Sequence, residues 1–385
     1  MLKLTRFLYN EQEVKLSLIA SLLTKKSILE CYYWFSELYY SKIDICSIIW
    51  EIYFDYYAFI NPKLEYYITK KINEWNHENR NEIIHLLFII KNMHILKHDS
   101  NVFLLRQISL IPDLCQNYIY IKKNKSNKEP IRDSNLHSLV MSIKEKNWVD
   151  ICYYLKKILL SKNRNYCITS LTIYETIIDS FSLENKVQLR EIWNSRIDNM
   201  DFHYILKFIC SLKMDKSKLT INKKAIYVSP LNEDILEIKD IDEEIIQPIY
   251  KTLPYKRRYK IDSNIGSFDL NRFKISNYKK ENYNWEYYAS FTPLWKERIF
   301  MYNGSINHEL KRIDFDNDDN LEMFYEKYGY ELDEQSKDVQ DCSLLDVKRR
   351  NHSDWLKYIE KDVIEWGMPT WIGDYELPDN FTFVV

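Results

Sequence analysis

Apolar residues recur at three- and four-residue steps through the first half of the chain, the spacing that lines one side of a helix. Val14, Leu18 and Leu22, with Ile19 and Leu23 beside them, predict a helix over 11–24. The next stretch, Ser27 to Trp75, holds fifteen aromatic residues and reads as three helices. Ser27 followed by Glu30 predicts a capping box, in which hydroxyl and carboxylate each satisfy an orphan backbone N–H. Ile45, Ile48, Ile49, Ile52, Tyr53 and Tyr56 give the middle helix one apolar face. Asn61-Pro62 predicts the third start, with Asn as N-cap and Pro where its missing N–H costs nothing. Rings this dense bury large areas and must be wrapped by other elements. Tyr32, Trp34, Trp50, Tyr53 and Tyr57 are therefore core candidates, or the lining of a groove for a partner's helix, which would use the same residues.

Helices are also predicted near 78–97 and 101–121, with Pro112 kinking or ending the second. The polar run KKNKSNKEPIRDS, 122–134, reads as a linker or exposed loop. Residues 138–162 then echo 21–42: an apolar helix end, a Lys-rich turn, and a helix that opens on Cys-Tyr-Tyr and closes on Ser-Lys. That echo suggests a repeated helical hairpin. Helices over 167–181, 183–197 and 201–213 complete an antiparallel array, either an irregular bundle or a short solenoid. Beyond Met214 the texture changes. KAIYVSP, 224–230, and DILEIKD, 234–240, have the β-branched content of strands. Asp319 with Glu322 predicts a capped helix over 319–328 that Gly329 ends, and another runs over 353–366 before Gly367 and Pro369. The last stretch, 374–385, reads as extended. The expected organisation is mainly α: an aromatic-rich helical domain at 1–121, a linker at 122–134, a second helical segment at 135–214 and a smaller α+β region at 215–385.

Composition narrows the function. With 46% hydrophobic and 29% charged residues the chain is a folded protein. It has five Gly and four Ala against 31 Tyr, the bias of an AT-rich genome, so its Lys and Asn content says little about activity. No Gly precedes residue 266, which excludes a phosphate-cradling P-loop or dinucleotide fingerprint there, and the later Gly residues are isolated. No cofactor is expected. The seven Cys show no CxxC spacing, which suits reduced thiols inside a cell. No secretory leader pattern opens the chain, and its apolar runs, such as LLFII at 86–90, fall far short of the roughly 20 residues that span a bilayer. A soluble intracellular protein is expected.

Charge is uneven although the net charge is only −2: 233–244 is acidic, 251–280 basic and 314–346 acidic again. Within 251–285, Lys and Arg interleave with Tyr, Phe and Trp, the composition with which a surface neutralises phosphates and stacks bases. Lys256, Arg257, Arg258, Tyr259 and Lys260 would form its centre; the alternative is a basic segment that pairs with the acidic run. His94 and His98 stand four apart with Asp99 adjacent, a spacing that can hold zinc on a helix, but no third ligand accompanies them and no metal site is expected. Asp314, Asp316, Asp318 and Asp319 lack the Gly and Glu positions of a calcium loop and suit a helix-capping turn. Asp234, Glu237 and Lys239 carry the acid-x-Lys alternation of metal-dependent nucleases, in which the metal polarises a phosphoryl oxygen; ordinary strand-edge charges read the same way.

Three stretches carry a resemblance: LTRFLYNEQEVKLSLIASLLTKKSILECYYWFSELYYSK, NWEYYASFTPLWKERI and YEKYGYELDEQ. Together they resemble a family of uncharacterised proteins encoded by large nucleocytoplasmic DNA viruses of mimivirus-like type. The resemblance implies a viral protein in the host cytoplasm or the virion, and it carries over no catalytic residue. The expected function is thus a non-enzymatic helical interaction or scaffold protein with a protein partner. A nucleic-acid-binding factor using 251–285 is the second expectation and a metal-dependent nuclease the third.

Overall fold

The computed structural model describes residues 3–6, 11–25, 27–78, 82–109, 134–145, 148–159, 170–180, 201–213, 227–233 and 285–328. Several expectations lie outside these residues: the helices over 183–197 and 353–366, Pro112, Gly329, the run 122–133, the extended readings over 234–240 and 374–385, the acid-x-Lys triad and the basic centre 256–260.

The described chain is mostly helical, with thirteen helices and one small antiparallel sheet. Helices α1 (Glu11–Leu23) and α2 (Ile28–Tyr40) form a hairpin, and α3 (Ile45–Tyr56) follows after a short turn. Helices α4 (Leu64–Glu78) and α5 (Ile84–Ile95) form a second hairpin, whose α5 packs on α2. Helix α6 (Asn101–Ser109) sits at the centre of the array, touching α3, α8 (Trp148–Leu159) and α10 (Asp201–Lys213). Helices α7 (Ser134–Glu145) and α8 make a third hairpin, and α9 (Ser170–Asp179) packs on α7 and α10. The sequence echo falls on the first and third hairpins. Cys31 and Cys152 occupy matching positions in α2 and α8, and both are buried.

Two apolar cores result. The first joins α1 to α5 and contains Tyr32, Trp34, Trp50, Tyr53 and Tyr57, all buried. In this state the five rings pack against the protein's own helices. The second core joins α7 to α10 and reaches the first through Val102 and Leu105 on α6. Helix α10 serves both, since Tyr204 belongs to the first core while Ile205 and Leu206 belong to the second.

A C-terminal unit completes the described chain: α11 (Trp285–Ala289), α12 (Pro293–Met301), the hairpin of β1 (Gly304–Asn307) and β2 (Arg312–Phe315), and α13 (Asp318–Tyr328). Gly304 faces Phe315 across the hairpin register; a Cβ on it would lie 2.6 Å from the Ile299 side chain, so the close approach of β1 to α12 requires glycine. Trp295, Ile299, Phe324 and Tyr328 enter the first core. The unit also grips the start of the chain, because Thr292 donates to the Leu4 carbonyl at 2.5 Å and the Trp295 indole to that of Thr5 at 2.9 Å. Arg6 continues the seam, its backbone N–H on Ser41 at 2.7 Å and its guanidinium over the Tyr40 ring.

Several local expectations are corrected. Ser27 does precede α2, but its side chain makes no capping bond; Glu30 turns inward and accepts from the Trp34 indole at 3.5 Å, since a buried N–H needs an acceptor more than a helix start open to water does. Helix α4 begins at Leu64 and not at Pro62, and Asn61 instead donates to the Lys97 carbonyl at 2.8 Å. The capping residue of α13 is Asn317, which accepts from the Asn320 N–H at 2.8 Å, so the Asp319–Glu322 box does not form. Residues 227–231 are not a strand. The two strands lie at 304–315, which the apolar pattern does not mark.

With few glycines, the chain puts other residues in left-handed backbone: Lys25, Lys42, Asn303 and Lys311 all have φ between 52° and 57°. Lys25 and Lys42 follow α1 and α2 where glycine usually stands. Lys25 also donates to the Leu96 and Met93 carbonyls at 2.6 and 3.2 Å, satisfying the end of α5.

Candidate functional site

Three polar constellations stand out among the described residues. The first joins α3, α6 and α10. Arg106 forks onto Asp55 at 3.0 and 2.6 Å and lies 3.3 Å from Glu51. Burial works against the charged guanidinium, but Asp55 and Glu51 more than offset it and its pKa goes up. Burial pushes the Glu51 carboxyl up despite Arg106, and pushes His203 down despite Asp55, whose Oδ1 lies 3.9 Å from His203 Nε2. Perturbed groups together invite an acid–base reading. The adjoining pocket argues against it: about 250 Å³ including its open mouth, it is lined by Lys15, Ile19, Ile48, Glu51, Ile52, Asp55 and Tyr56. That is smaller than the roughly 300–1,000 Å³ of metabolite sites, and its charged lining groups are already engaged, Glu51 and Asp55 with Arg106 and Lys15 with Glu11. The network ties three helices together.

The second constellation is a buried knot between α4 and α10. Glu65 accepts from Lys207 at 2.8 Å, from Tyr53 at 3.4 Å and, in a short bond, from Tyr204. Lys207 is 1% exposed and lies near the Tyr53, Phe54 and Tyr204 rings, 5.3 to 5.8 Å from their centres. Burial lowers the lysine's pKa and Glu65 opposes that shift. A lowered lysine can act as a base or nucleophile, but this one is enclosed by rings and has no route to substrate.

The third lies on the surface of α4 and α5. Asn92 is buried, yet its carboxamide reaches the backbone of Val228: Nδ2 donates to the Val228 carbonyl at 2.9 Å, and Oδ1 accepts the Val228 N–H at 2.9 Å. Next to it the Tyr227 ring stacks on Tyr67 with centroids 3.9 Å apart and planes within 15°. The Tyr227 hydroxyl donates to the Lys63 carbonyl at 3.0 Å. Burial pushes the Tyr67 hydroxyl up to about 12, with Glu74 adding to it. Here helices receive a non-helical piece of chain through its main chain, and this is the candidate site.

The remaining sequence candidates resolve into structural roles. Helix α5 ends at Ile95, so His94 and His98 do not share a helix; Asp99 accepts the Asn101 N–H at 2.7 Å and caps α6. No group of three or more ligating side chains that could hold a metal occurs among the described residues. Asp314 accepts from Asn307 at 2.8 Å and Arg312 at 2.6 Å within the hairpin, and Asp318 and Asp319 open α13. No helix of the described residues is long and apolar enough to cross a membrane. Sequence reasoning missed Asn92, which is the one amide of α5 beside His85, Lys91 and His94. Its spacing of three and four residues from Ile89 and Phe88, which puts it on their side of the helix, is the signal that marks it. Compared with models of known protein families, with curated proteins and with solved structures, the chain matches none.

Proposed function

We propose that this chain is a helical protein-interaction scaffold of a large DNA virus, working in the host cell or the virion. One observation carries the interaction reading: the α4–α5 surface receives non-helical chain by its main chain, through Asn92, beside a stacked ring pair. Main-chain bonds supply affinity and a ring supplies selectivity, which is how folded domains recognise extended segments. The buried ionic clusters support the same reading, since Asp55, Arg106, Glu65 and Lys207 are engaged in joining helices. The viral part rests on the resemblance of residues 4–42, 284–299 and 325–335.

Purification of the full chain under native conditions from the cells that make it tests the reading. A protein should accompany it at constant stoichiometry through nuclease treatment and high salt. Its absence, with nucleic acid retained instead, would favour the basic segment 251–285 as the working surface. In that case replacing Lys256, Arg257 and Arg258 with Ala would flatten the log–log salt dependence of single-stranded RNA binding by roughly two to three units, at about 0.7–0.9 per phosphate.

A further inference from the structure

We propose that the Asn92 surface is a docking site for an extended segment of a partner protein, and that Tyr227 and Val228 fill it in cis. The inference rests on the scaffold reading and names the chemistry its partner presents: an aromatic residue followed by a residue with a free backbone N–H.

The geometry carries it. In antiparallel strands, one residue exchanges both its N–H and its C=O with the residue opposite. A carboxamide offers one donor edge and one acceptor edge side by side, so it can stand in for that opposite residue. Asn92 does so, with both bonds to Val228 at 2.9 Å. The amide is set in this orientation from within its own helix, because Nδ2 also donates to the Phe88 carbonyl at 2.7 Å. Turned over, it would press its oxygen against two carbonyls. The site is therefore formed before any segment arrives, which spares part of the ordering cost of binding.

The same geometry separates what is read from what is not. Contacts to N–H and C=O are blind to the side chain, and Val228 is 41% exposed. Selectivity falls on the preceding ring, which stacks on Tyr67 and reaches the Lys63 carbonyl. The bonds holding the cis segment are neutral hydrogen bonds, so this contact opens far more readily than the core. A tether supplies an effective concentration on the order of millimolar. A partner segment with further contacts, or a high local concentration, displaces it.

The test uses a fluorescent peptide of residues 227–233, Tyr-Val-Ser-Pro-Leu-Asn-Glu, titrated by anisotropy against the full chain. Tyr227→Ala/Val228→Pro removes the cis ring and the cis N–H. The peptide should bind that variant about tenfold tighter than wild type, because the competing cis population is gone. Adding Asn92→Leu or, on the half-exposed ring, Tyr67→Ala should abolish binding. A peptide with Ala in place of Val should bind equally well and one with Pro should not. Equal affinity for wild type and variant, no binding to either, or binding indifferent to Tyr67→Ala would overturn the proposal. So would a wild-type dimer that Tyr227→Ala converts to monomer, which would assign the site to a second copy. A co-purifying protein that stays with the Tyr67→Ala chain would remove this site and leave the scaffold reading standing.

Discussion

Glu65 gathers donors from Tyr53, Tyr204 and Lys207 in a place that water does not reach. Removing one partner of such a pair leaves the other charge buried and unpaired, which costs about 3–5 kcal/mol, whereas replacing both by apolar groups is often near neutral. Glu65→Leu should therefore cost about 3–5 kcal/mol in urea unfolding, and the double change with Lys207→Met should cost less than that single change. Glu51 behaves in the opposite sense. Burial raises its pKa above the ordinary 4.5, so its ionised form is disfavoured in the folded protein. Well below pH 4.5 it is protonated folded and unfolded and contributes fully; as pH rises through the raised folded value that contribution is lost. Glu51→Gln should thus melt above wild type at pH 7, and the gap should close as pH falls toward 4. Glu51→Gln melting below wild type at pH 7 would show the Arg106 contact to outweigh burial.

Helix starts mark where sequence reading of single elements succeeds and fails. Asp44 caps α3, accepting the Ser47 N–H at 3.2 Å and its hydroxyl at 2.6 Å, while Ser27 precedes α2 without a side-chain bond. Asp44→Ala should cost about 1 kcal/mol and Ser27→Ala only a few tenths, measured by thermal unfolding. The capping pattern at Ser27 is legible, but Glu30 is claimed by Trp34, and no local pattern discloses that claim. Helix existence was legible because the apolar period is set by burial of one face, as with Ile45, Ile48 and Ile49. Tyr227 and Val228 have the composition of strand residues, and the Val228 backbone does make strand-type bonds, though with a side chain on a helix.

At the scale of the whole molecule, the helical class and the aromatic core were legible, and the candidate site was not. Trp34 and Tyr53 announce burial by their size and density, whereas Asn92 acquires its role only when residues 136 positions apart meet. The grip of Thr292 and Trp295 on the Leu4 and Thr5 carbonyls is equally invisible along the chain. The proposed docking surface includes Tyr67 on α4, and its chain neighbour Tyr66 is 78% exposed. The most direct measurement is photo-crosslinking from a benzoylphenylalanine at position 66 of the full chain in the cells that make it. An adduct that protease removes, nuclease does not, and Tyr67→Ala abolishes is expected; an adduct sensitive to nuclease, or one unchanged by Tyr67→Ala, would contradict the docking of a protein segment there.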